Sequence, residues 1–235
     1  MTDFARYERD ETVATITMDD GKANALGPDM IAAVNAGLDR AEEDQVRAVV
    51  LAGRPGRFCA GFDLRVLTSG RAAAEPLVRA GAGLFMRIYG FAVPVIAACT
   101  GHALAGGALL LLVSDARVGA LGEFKVGLNE VAIGIPLPEL VRRLAEDRLD
   151  VRHRVEATLL AKVYEPAGAL GAGYLDEVVP PAELLARAHE RARELARLPV
   201  HAFSTSKKNV RGASIAHIES ALEDDLTRIL LAGRT

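Results

Sequence analysis

The chain has 235 residues, half of them hydrophobic, which is enough to bury the core of one large domain. Its formal net charge is −3, and acidic and basic residues are spread along the chain without the basic patch that nucleic-acid and membrane surfaces require. We therefore expect a small-molecule partner, with no nucleic acid and no membrane.

Cysteine usage and the N-terminus point to the same cellular compartment. Cys59 and Cys99 lie in apolar, strand-like segments, which suits buried thiols in a reducing environment better than a disulfide. Met1 to Arg6 contain no apolar signal core, and the apolar run from Ala103 to Val113 is shorter than the ~20 residues that span a bilayer. These features predict a cytoplasmic protein.

The first third of the chain alternates strand and helix signals. Residues 7–19 predict a strand or hairpin, and apolar residues at helical spacing then predict an amphipathic helix that ends near Glu43. Val46 to Ala52 are nearly all apolar, as in a strand buried on both faces. A second short strand follows at residues 58–62, and Asp63 is the expected N-cap of the next helix.

The middle of the chain repeats this order. Ala72 to Tyr89 predict a helix, and the β-branched run from Val93 to Ala98 predicts a strand. A glycine turn and a buried helix follow within residues 101–113. A third strand is predicted from Ala116 to Leu121, and residues 124–130 form an extended segment and a loop.

The last third is mainly helical. Four helices and one short strand are predicted at residues 140–149, 151–161, 182–198 and 215–231 and at residues 176–179. We divide the chain into a core, residues 1–180, and a C-terminal helical section, residues 181–235. Because strand, turn and helix recur, the core is predicted to be α/β with repeated ββα units. A helical tail without a large core of its own commonly packs on a neighbour, so we expect an oligomer.

Two small-residue turns stand directly before predicted helices. Free backbone N–H groups at Phe62 and Gly106 would form an oxyanion hole if the two turns met at one carbonyl oxygen. The alternative is that the glycines merely allow strands and helices to pack closely. Spacing by itself leaves both interpretations open.

Several motifs in order resemble the crotonase superfamily, which comprises the enoyl-CoA hydratases and isomerases. They are Phe58-Cys59-Ala60-Gly61-Phe62-Asp63-Leu64, Pro94 to Ala98 with Gly101 to Gly107, and Ser114 to Val118. The resemblance runs from about Lys22 to the C-terminal helices. It implies a spiral of ββα units followed by a helical section used for trimer formation, often as a dimer of trimers.

The resemblance also implies an acyl-CoA substrate of fatty acid metabolism, with coenzyme A bound as part of that substrate. Phe62 and Gly106 match the two oxyanion-hole donors. The positions that match the coenzyme A contacts are Lys22, Ala23, Ala25, Ala60, Phe62, Asp63, Leu64 and Arg65. Lys207 and Lys208 are weaker candidates that would act from a neighbouring subunit.

The family's hydratases carry two catalytic glutamates, and this chain has a glutamate at only one of the two corresponding positions. Leu109 stands at the first, whereas Glu130 is retained at the second, in a segment similar to that of mitochondrial-type Δ3,Δ2-enoyl-CoA isomerases. One carboxylate suffices to move a proton along an enolate, but hydration is helped by two. We therefore predict an isomerase with Glu130 as acid and base. The alternative functions are a hydratase, which is a lyase, and a catalytically silent acyl-CoA binder. For Glu130 itself, the alternative is a solvated loop carboxylate without a catalytic role.

Other chemistry is less supported by the sequence. No His-Glu-x-x-His or Cys-x-x-Cys pattern predicts a metal, and no Walker or dinucleotide motif predicts a permanently bound cofactor. Glu139 is interpreted as a helix-dipole residue, with a second acid as the alternative. His102 is interpreted as structural, with a ligand contact as the alternative, and Asp115 as a cap or turn residue.

Overall fold

The computed structural model describes residues 4–232, with side chains up to residue 229. The described strands are β1 (Ala5–Asp10), β2 (Val13–Met18), β3 (Ala48–Gly53), β4 (Gly56–Cys59), β5 (Val95–Cys99), β6 (Gly101–Leu104), β7 (Ala116–Ala120), β8 (Val126–Gly127) and β9 (Glu177–Val179). The helices are α1 (Pro28–Glu43), α2 (Leu64–Leu67), α3 (Arg71–Gly90), α4 (Gly106–Val113), α5 (Glu139–Arg148), α6 (Arg154–Thr158), α7 (Pro166–Ala172), α8 (Leu184–Leu195) and α9 (Val200–Ala232), with a 3₁₀ turn at Val131–Ile133.

The chain advances as a spiral between two sheets. The larger sheet has the order β1-β2-β3-β5-β7-β9 and the smaller one β4-β6-β8. Apart from the antiparallel β1–β2 hairpin, neighbouring strands are parallel. The successive pairs β3/β4, β5/β6 and β7/β8 each give one strand to either sheet before the chain turns into helix. The predicted α/β spiral of ββα units is confirmed.

The large sheet is covered on both faces, which explains its nearly continuous apolar strands. Val49 and Leu51 belong to the main core with α1, α3 and α4, whereas Val50 faces a second cluster with Ala188 of α8. Helix α9 packs on α3 and α5. Residues after 180 therefore cover the core of their own chain, while the division at residue 180 and a role in trimer formation stay predictions.

The largest differences from the sequence-based expectations concern three elements. Strand β6 was not predicted, because a strand this short is recognisable only from its pairing with β4 and β8. Helix α7 was missed because glycines interrupt its apolar pattern. Helix α9 begins at Val200, well before the predicted start at Ile215, because Lys207 and Arg211 interrupt the expected apolar pattern although both are buried.

Those two cations are held by Asp115. Its carboxylate accepts a hydrogen bond from the Val95 amide at 2.8 Å and lies 2.7 Å from Lys207 Nζ and 2.9 Å from Arg211 Nη1. Asp115 therefore ties β5 to α9 instead of serving as a simple cap. The suggested coenzyme A contact from Lys207 is wrong, because its ammonium is buried in this ion pair. Lys208 is exposed.

Replacing Asp115 by Asn is expected to lower the free energy of unfolding by about 3 kcal/mol, because Lys207 and Arg211 would stay buried without a counter-charge. Chemical denaturation measures this change. Asp224→Asn removes the same charge from the exposed surface of α9 and serves as the control. Equal stability of the two variants would contradict a structural role for the buried cluster.

No helix within residues 4–232 is long and apolar enough to cross a membrane. Residues 1–3, which were part of the N-terminal argument for a cytoplasmic protein, lie outside the described residues, as do the last three residues of the predicted C-terminal section.

Candidate active site

Three turns at one edge of the small sheet form the candidate site. Phe62 follows β4, Gly106 follows β6 and Glu130 follows β8, and these strands are parallel neighbours in the order β4-β6-β8. The carboxyl ends of parallel strands meet at the same edge, where ligands of α/β proteins commonly bind. Residues far apart in the sequence therefore converge.

The turn after β6 leaves one backbone donor without a backbone acceptor among the described residues. Ala105 has φ of 47° and ψ of −117°, a backbone conformation that favours glycine. Its own amide donates to the Gly127 carbonyl at 3.0 Å, whereas the Gly106 and Phe62 amides donate to no backbone carbonyl of the described residues. Gly106 is the first residue of α4, so the positive end of the helix dipole adds to this donor.

The two turns touch each other. Gly61 has φ of +90°, and a Cβ there would lie 3.0 Å from the Leu104 carbonyl oxygen and 3.2 Å from the Gly106 amide nitrogen. Gly107 serves close packing instead, because its Cβ would lie 2.0 Å from the Cys59 carbonyl oxygen. Close packing is thus the role of Gly107. The amides of Phe62 and Gly106 lie on neighbouring turns, and an oxyanion hole formed by them stays a prediction.

Glu130 is placed beside these turns by the β6–β8 pairing and by Tyr174, whose hydroxyl accepts from the Leu128 amide at 3.3 Å. Its side chain is buried, with the residue 7% exposed, and Oε2 has no hydrogen-bond partner among the described residues. Burial raises the pKa of Glu130 from 4.5 to about 7. The alternative of a solvated loop carboxylate is therefore wrong.

A cavity of about 280 Å³ opens at this edge. Helix α4 is buried along its whole length, and Leu109 presents an apolar side chain to the cavity that Glu130 also lines. The remaining wall is mostly apolar and comes from α3, α5, α9 and the segment around the 3₁₀ turn. Its lining includes Ala60, Phe62, Leu64, Leu67, Val78, Ala82, Phe85, Leu104, Ala105, Asn129, Ile133, Ile135, Pro138, Leu140, Val141, Leu222, Asp225 and Ile229.

Asp225 on α9 is a buried cavity residue that was not predicted from the sequence. Its Oδ2 accepts from the Glu139 amide at 2.7 Å and so caps α5 from another helix. Burial raises the pKa of Asp225, and Oδ1 has no hydrogen-bond partner in the described chain, the nearest guanidinium being Arg228 at 3.9 Å. An acid among charged neighbours on a long helix gave no sequence signal of burial.

The predicted coenzyme A positions form one strip of backbone. The Ala60 amide donates to the Ala23 carbonyl at 3.1 Å, and the Asp63 amide donates to the Leu26 carbonyl at 3.2 Å. Ala60, Phe62 and Leu64 line the cavity, whereas the predicted positions Lys22, Ala23, Ala25, Asp63 and Arg65 are absent from its lining. Asp63 caps α2 through the Arg65 amide, as predicted, and also pairs with the exposed Arg65 guanidinium.

Asn24 holds this strip in place and was not singled out from the sequence. It is fully buried at φ of 53°, and its side-chain amide donates to the carbonyls of Met18, Arg57 and Phe58. Asparagine tolerates the left-handed region and forms hydrogen bonds to nearby backbone. An asparagine three residues after the turn sequence Asp19-Asp20-Gly21 was therefore the signal that could have identified it.

The secondary candidates lie outside the cavity lining. His102 Nδ1 accepts from the Lys125 amide at 3.0 Å, which fits the structural interpretation. Glu139 pairs with Arg142 and His217, and these partners lower the pKa of Glu139 to about 2, so it is no second acid of the cavity. Cys59 and Cys99 are free and buried, and burial raises the pKa of each thiol to about 12.

Comparison with protein families gives a match to the model described as "Enoyl-CoA hydratase/isomerase" over residues 8–228. Human mitochondrial enoyl-CoA delta isomerase 1 is 29% identical over 219 residues, which cover 91% of this chain and 72% of that protein. A protein of Thermus thermophilus named putative enoyl-CoA hydratase is 32% identical over 199 residues, or 83% of this chain and 78% of that protein.

Among solved structures, an enoyl-CoA hydratase/isomerase family protein from Pseudomonas syringae superposes with a TM-score of 0.94 at 40% identity. The match covers 97% of this chain and 99% of that one. The two relatives above carry different activity names, so the comparisons leave the reaction to the chemistry of the site.

Proposed function

The chain belongs to the enoyl-CoA hydratase/isomerase family, and within it we propose that the protein is an enoyl-CoA isomerase. The observation that carries this proposal is a buried glutamate, Glu130, in a cavity that Leu109 also lines, beside two amides that have no backbone acceptor among the described residues. A base of this kind can move a proton within one substrate, whereas water addition benefits from a second carboxyl group at the position of Leu109.

The proposed reaction begins with a 3-enoyl-CoA thioester whose carbonyl oxygen lies between the Phe62 and Gly106 amides. The Glu130 carboxylate takes a proton from the α-carbon, and the C–H electron pair moves into the thioester to give a dienolate. The two N–H groups stabilise the negative oxygen. The protonated Glu130 then returns the proton to the γ-carbon, the carbonyl re-forms, and the double bond ends between the α- and β-carbons.

The environment of Glu130 fits both halves of this transfer. A carboxyl group with a pKa of about 7 is a stronger base than an ordinary glutamate, and its protonated form is still acidic enough to give the proton back. Its Oε2 has no protein partner among the described residues, so no hydrogen bond must break before the substrate binds. Desolvation, which raises this pKa, also strengthens the hydrogen bonds to the dienolate oxygen.

Coenzyme A binding is part of the same proposal. The strip formed by Lys22, Ala23 and Ala25 with Ala60 to Leu64 would hold the pantetheine and nucleotide, and the exposed Arg65 guanidinium would meet a phosphate. The homotrimer or dimer of trimers is proposed as well, supported by exposed apolar side chains such as Leu159 and Leu160, and sedimentation of the purified protein tests it. A cytoplasmic location stays a prediction from the sequence.

The test is to offer the purified protein 3-enoyl-CoA and 2-enoyl-CoA separately and to follow the products by chromatography and mass. Migration of the double bond without a gain of water supports the isomerase. Rapid hydration of the 2-enoyl thioester would favour the hydratase, the activity named for the Thermus relative. Tight binding without turnover would indicate a silent acyl-CoA binder.

The pH dependence of isomerisation gives a second test. Because the base must be ionised and the pKa of Glu130 is raised to about 7, kcat/KM is expected to rise with pH and to level off above this value. An ordinary exposed glutamate would give a plateau reaching down to about pH 5. Steady-state rates measured across this pH range at constant ionic strength distinguish the two profiles.

A further inference from the structure

A second groove lies on the outer side of the helix pair α3 and α9. It has a volume of about 480 Å³ and runs along the seam where the two helices pack. Met86 and Ile218 contribute apolar side chains to it, while Arg79, Arg87 and Glu219 supply charged groups. Nothing in the proposed reaction uses this groove.

The groove and the active-site cavity share part of one wall. Ala82 of α3 and Leu222 of α9 line both spaces. Val78 and Phe85 face the cavity on one side of this wall, whereas Gly83 and Met86 face the groove on the other. At this point the same two side chains border both spaces.

This shared wall is built from residues that obstruct little. Ala82 has a single methyl group, and Leu222 is half-buried, so its side chain has room to change rotamer. Gly83 is exposed, and a Cβ there would have no atom within 4 Å. Across the seam, Arg79 and Glu223 form an ion pair at 2.6 Å, and both side chains are solvent-exposed. An exposed pair of this kind adds little to the apolar packing of the two helices.

We propose that acyl chains too long for the cavity pass between α3 and α9, across Ala82 and beside Leu222, and lay their ends in the outer groove. The substrates would then include long-chain enoyl-CoA thioesters, and this inference rests on the proposed function. Flexible Met86 adapts to a hydrocarbon chain, and the methylene stems of Arg79 and Arg87 cover it while their charged ends stay in water.

The expected gain in affinity follows from the apolar area that the groove removes from water. Each methylene group transferred from water to apolar surface is worth about fourfold in binding. Two or more methylenes in the groove would therefore give long chains an advantage of about tenfold or more over chains that end inside the cavity.

The first experiment fills the groove without touching the cavity lining. Gly83→Trp is expected to weaken binding of palmitoyl-CoA by about tenfold and to leave binding of hexanoyl-CoA within about twofold. Gly212→Trp is the matched control, because Gly212 also lies on a helix with open space at its Cβ but does not line the groove. Both thioesters are saturated, so the measurement by calorimetry does not depend on turnover.

The second experiment locates the end of the chain. The two native cysteines are buried, so the G83C and G212C variants each add one thiol at a position where a Cβ has no atom within 4 Å. A palmitoyl-CoA analogue with a terminal bromoacetyl group is expected to alkylate G83C, the thiolate displacing bromide, and to leave G212C unmodified. Mass spectrometry reads the adduct, and a hexanoyl analogue with the same terminal group should modify neither.

The possible outcomes distinguish failure of the route between α3 and α9 from failure of the proposed acyl-CoA function. If native protein binds both thioesters and Gly83→Trp changes neither, or weakens both equally, the route between α3 and α9 is overturned while the acyl-CoA function stands. Absence of G83C alkylation under conditions that saturate the protein overturns the route as well. If native protein binds neither thioester, the proposed function fails and this inference fails with it.

Discussion

Replacing Glu130 by Gln is expected to lower kcat for double-bond migration by about 1000-fold or more, because the amide can neither take the α-proton nor return it. The side chain keeps nearly the same volume, so the affinity for coenzyme A thioesters is expected to stay within about threefold. Single-turnover rates and equilibrium binding measure the two quantities separately. Glu123→Gln, at an exposed position before β8, is the control.

E130Q is also expected to change how the stability of the protein depends on pH, which a general loss of folding would not do. Because the folded-state pKa of Glu130 is about 7 and the unfolded value is 4.5, the group favours the folded state below about pH 4.5 and loses this contribution as pH rises through 7. The ionised carboxylate costs about 3 kcal/mol at pH 8. Gln lacks this titration, so E130Q should gain stability relative to native protein between about pH 5 and pH 8.

Denaturation curves at several pH values check this expectation. An inactive E130Q that is more stable than native protein at alkaline pH supports a buried catalytic acid and base. If E130Q keeps native isomerase activity, Glu130 is not the proton shuttle. If the stability difference does not change with pH, the raised pKa is contradicted even where activity is lost.

Replacing Gly106 by Pro is expected to lower kcat by about 100-fold to 1000-fold, because the substitution removes one of the two N–H donors to the dienolate oxygen. Proline is tolerated at the first position of a helix, which Gly106 occupies in α4. Substrate affinity should fall much less than kcat, because the oxygen becomes strongly negative only during the reaction.

Gly106→Ala is the matched control, since both variants add a Cβ and only proline removes the N–H. That Cβ would lie 3.1 Å from Leu26 Cδ1 and 3.3 Å from Gly61 Cα, so a modest rearrangement is expected in both proteins. Circular dichroism and thermal unfolding establish that each is folded. Equal activity of G106P and G106A would contradict the role of this donor, whereas loss in G106P alone supports it.

The isomerase proposal and the long-chain inference concern different parts of the same cavity. The reaction needs the edge where β4, β6 and β8 end, and the chain of the substrate needs the wall between α3 and α9. Glu130 and Gly106 can therefore be altered without changing the groove, and Gly83 can be altered without changing the donors. Variants at Glu130 and Gly106 therefore test the reaction, and variants at Gly83 test the route of the acyl chain.

The sequence by itself determined the fold class and singled out the candidate site residues. Apolar strands such as β3 and the helical spacing of α1 and α3 carry their own periodic signal, because burial on one or two faces dictates which positions are apolar. The ordered motifs around Phe62, Gly106 and Glu130 then singled out these residues. Their roles in catalysis stay predictions until the experiments above are done.

Only the tertiary structure decided how these residues meet and which charged groups are buried. Strands β6 and β8 are too short to carry a pattern, yet their pairing with β4 brings three distant turns to one edge. Asp225, Lys207 and Asn24 look like surface or turn residues along the chain, since burial of a polar group depends on partners far away in sequence. The shared wall of Ala82 and Leu222 likewise exists only because α9 folds back onto α3.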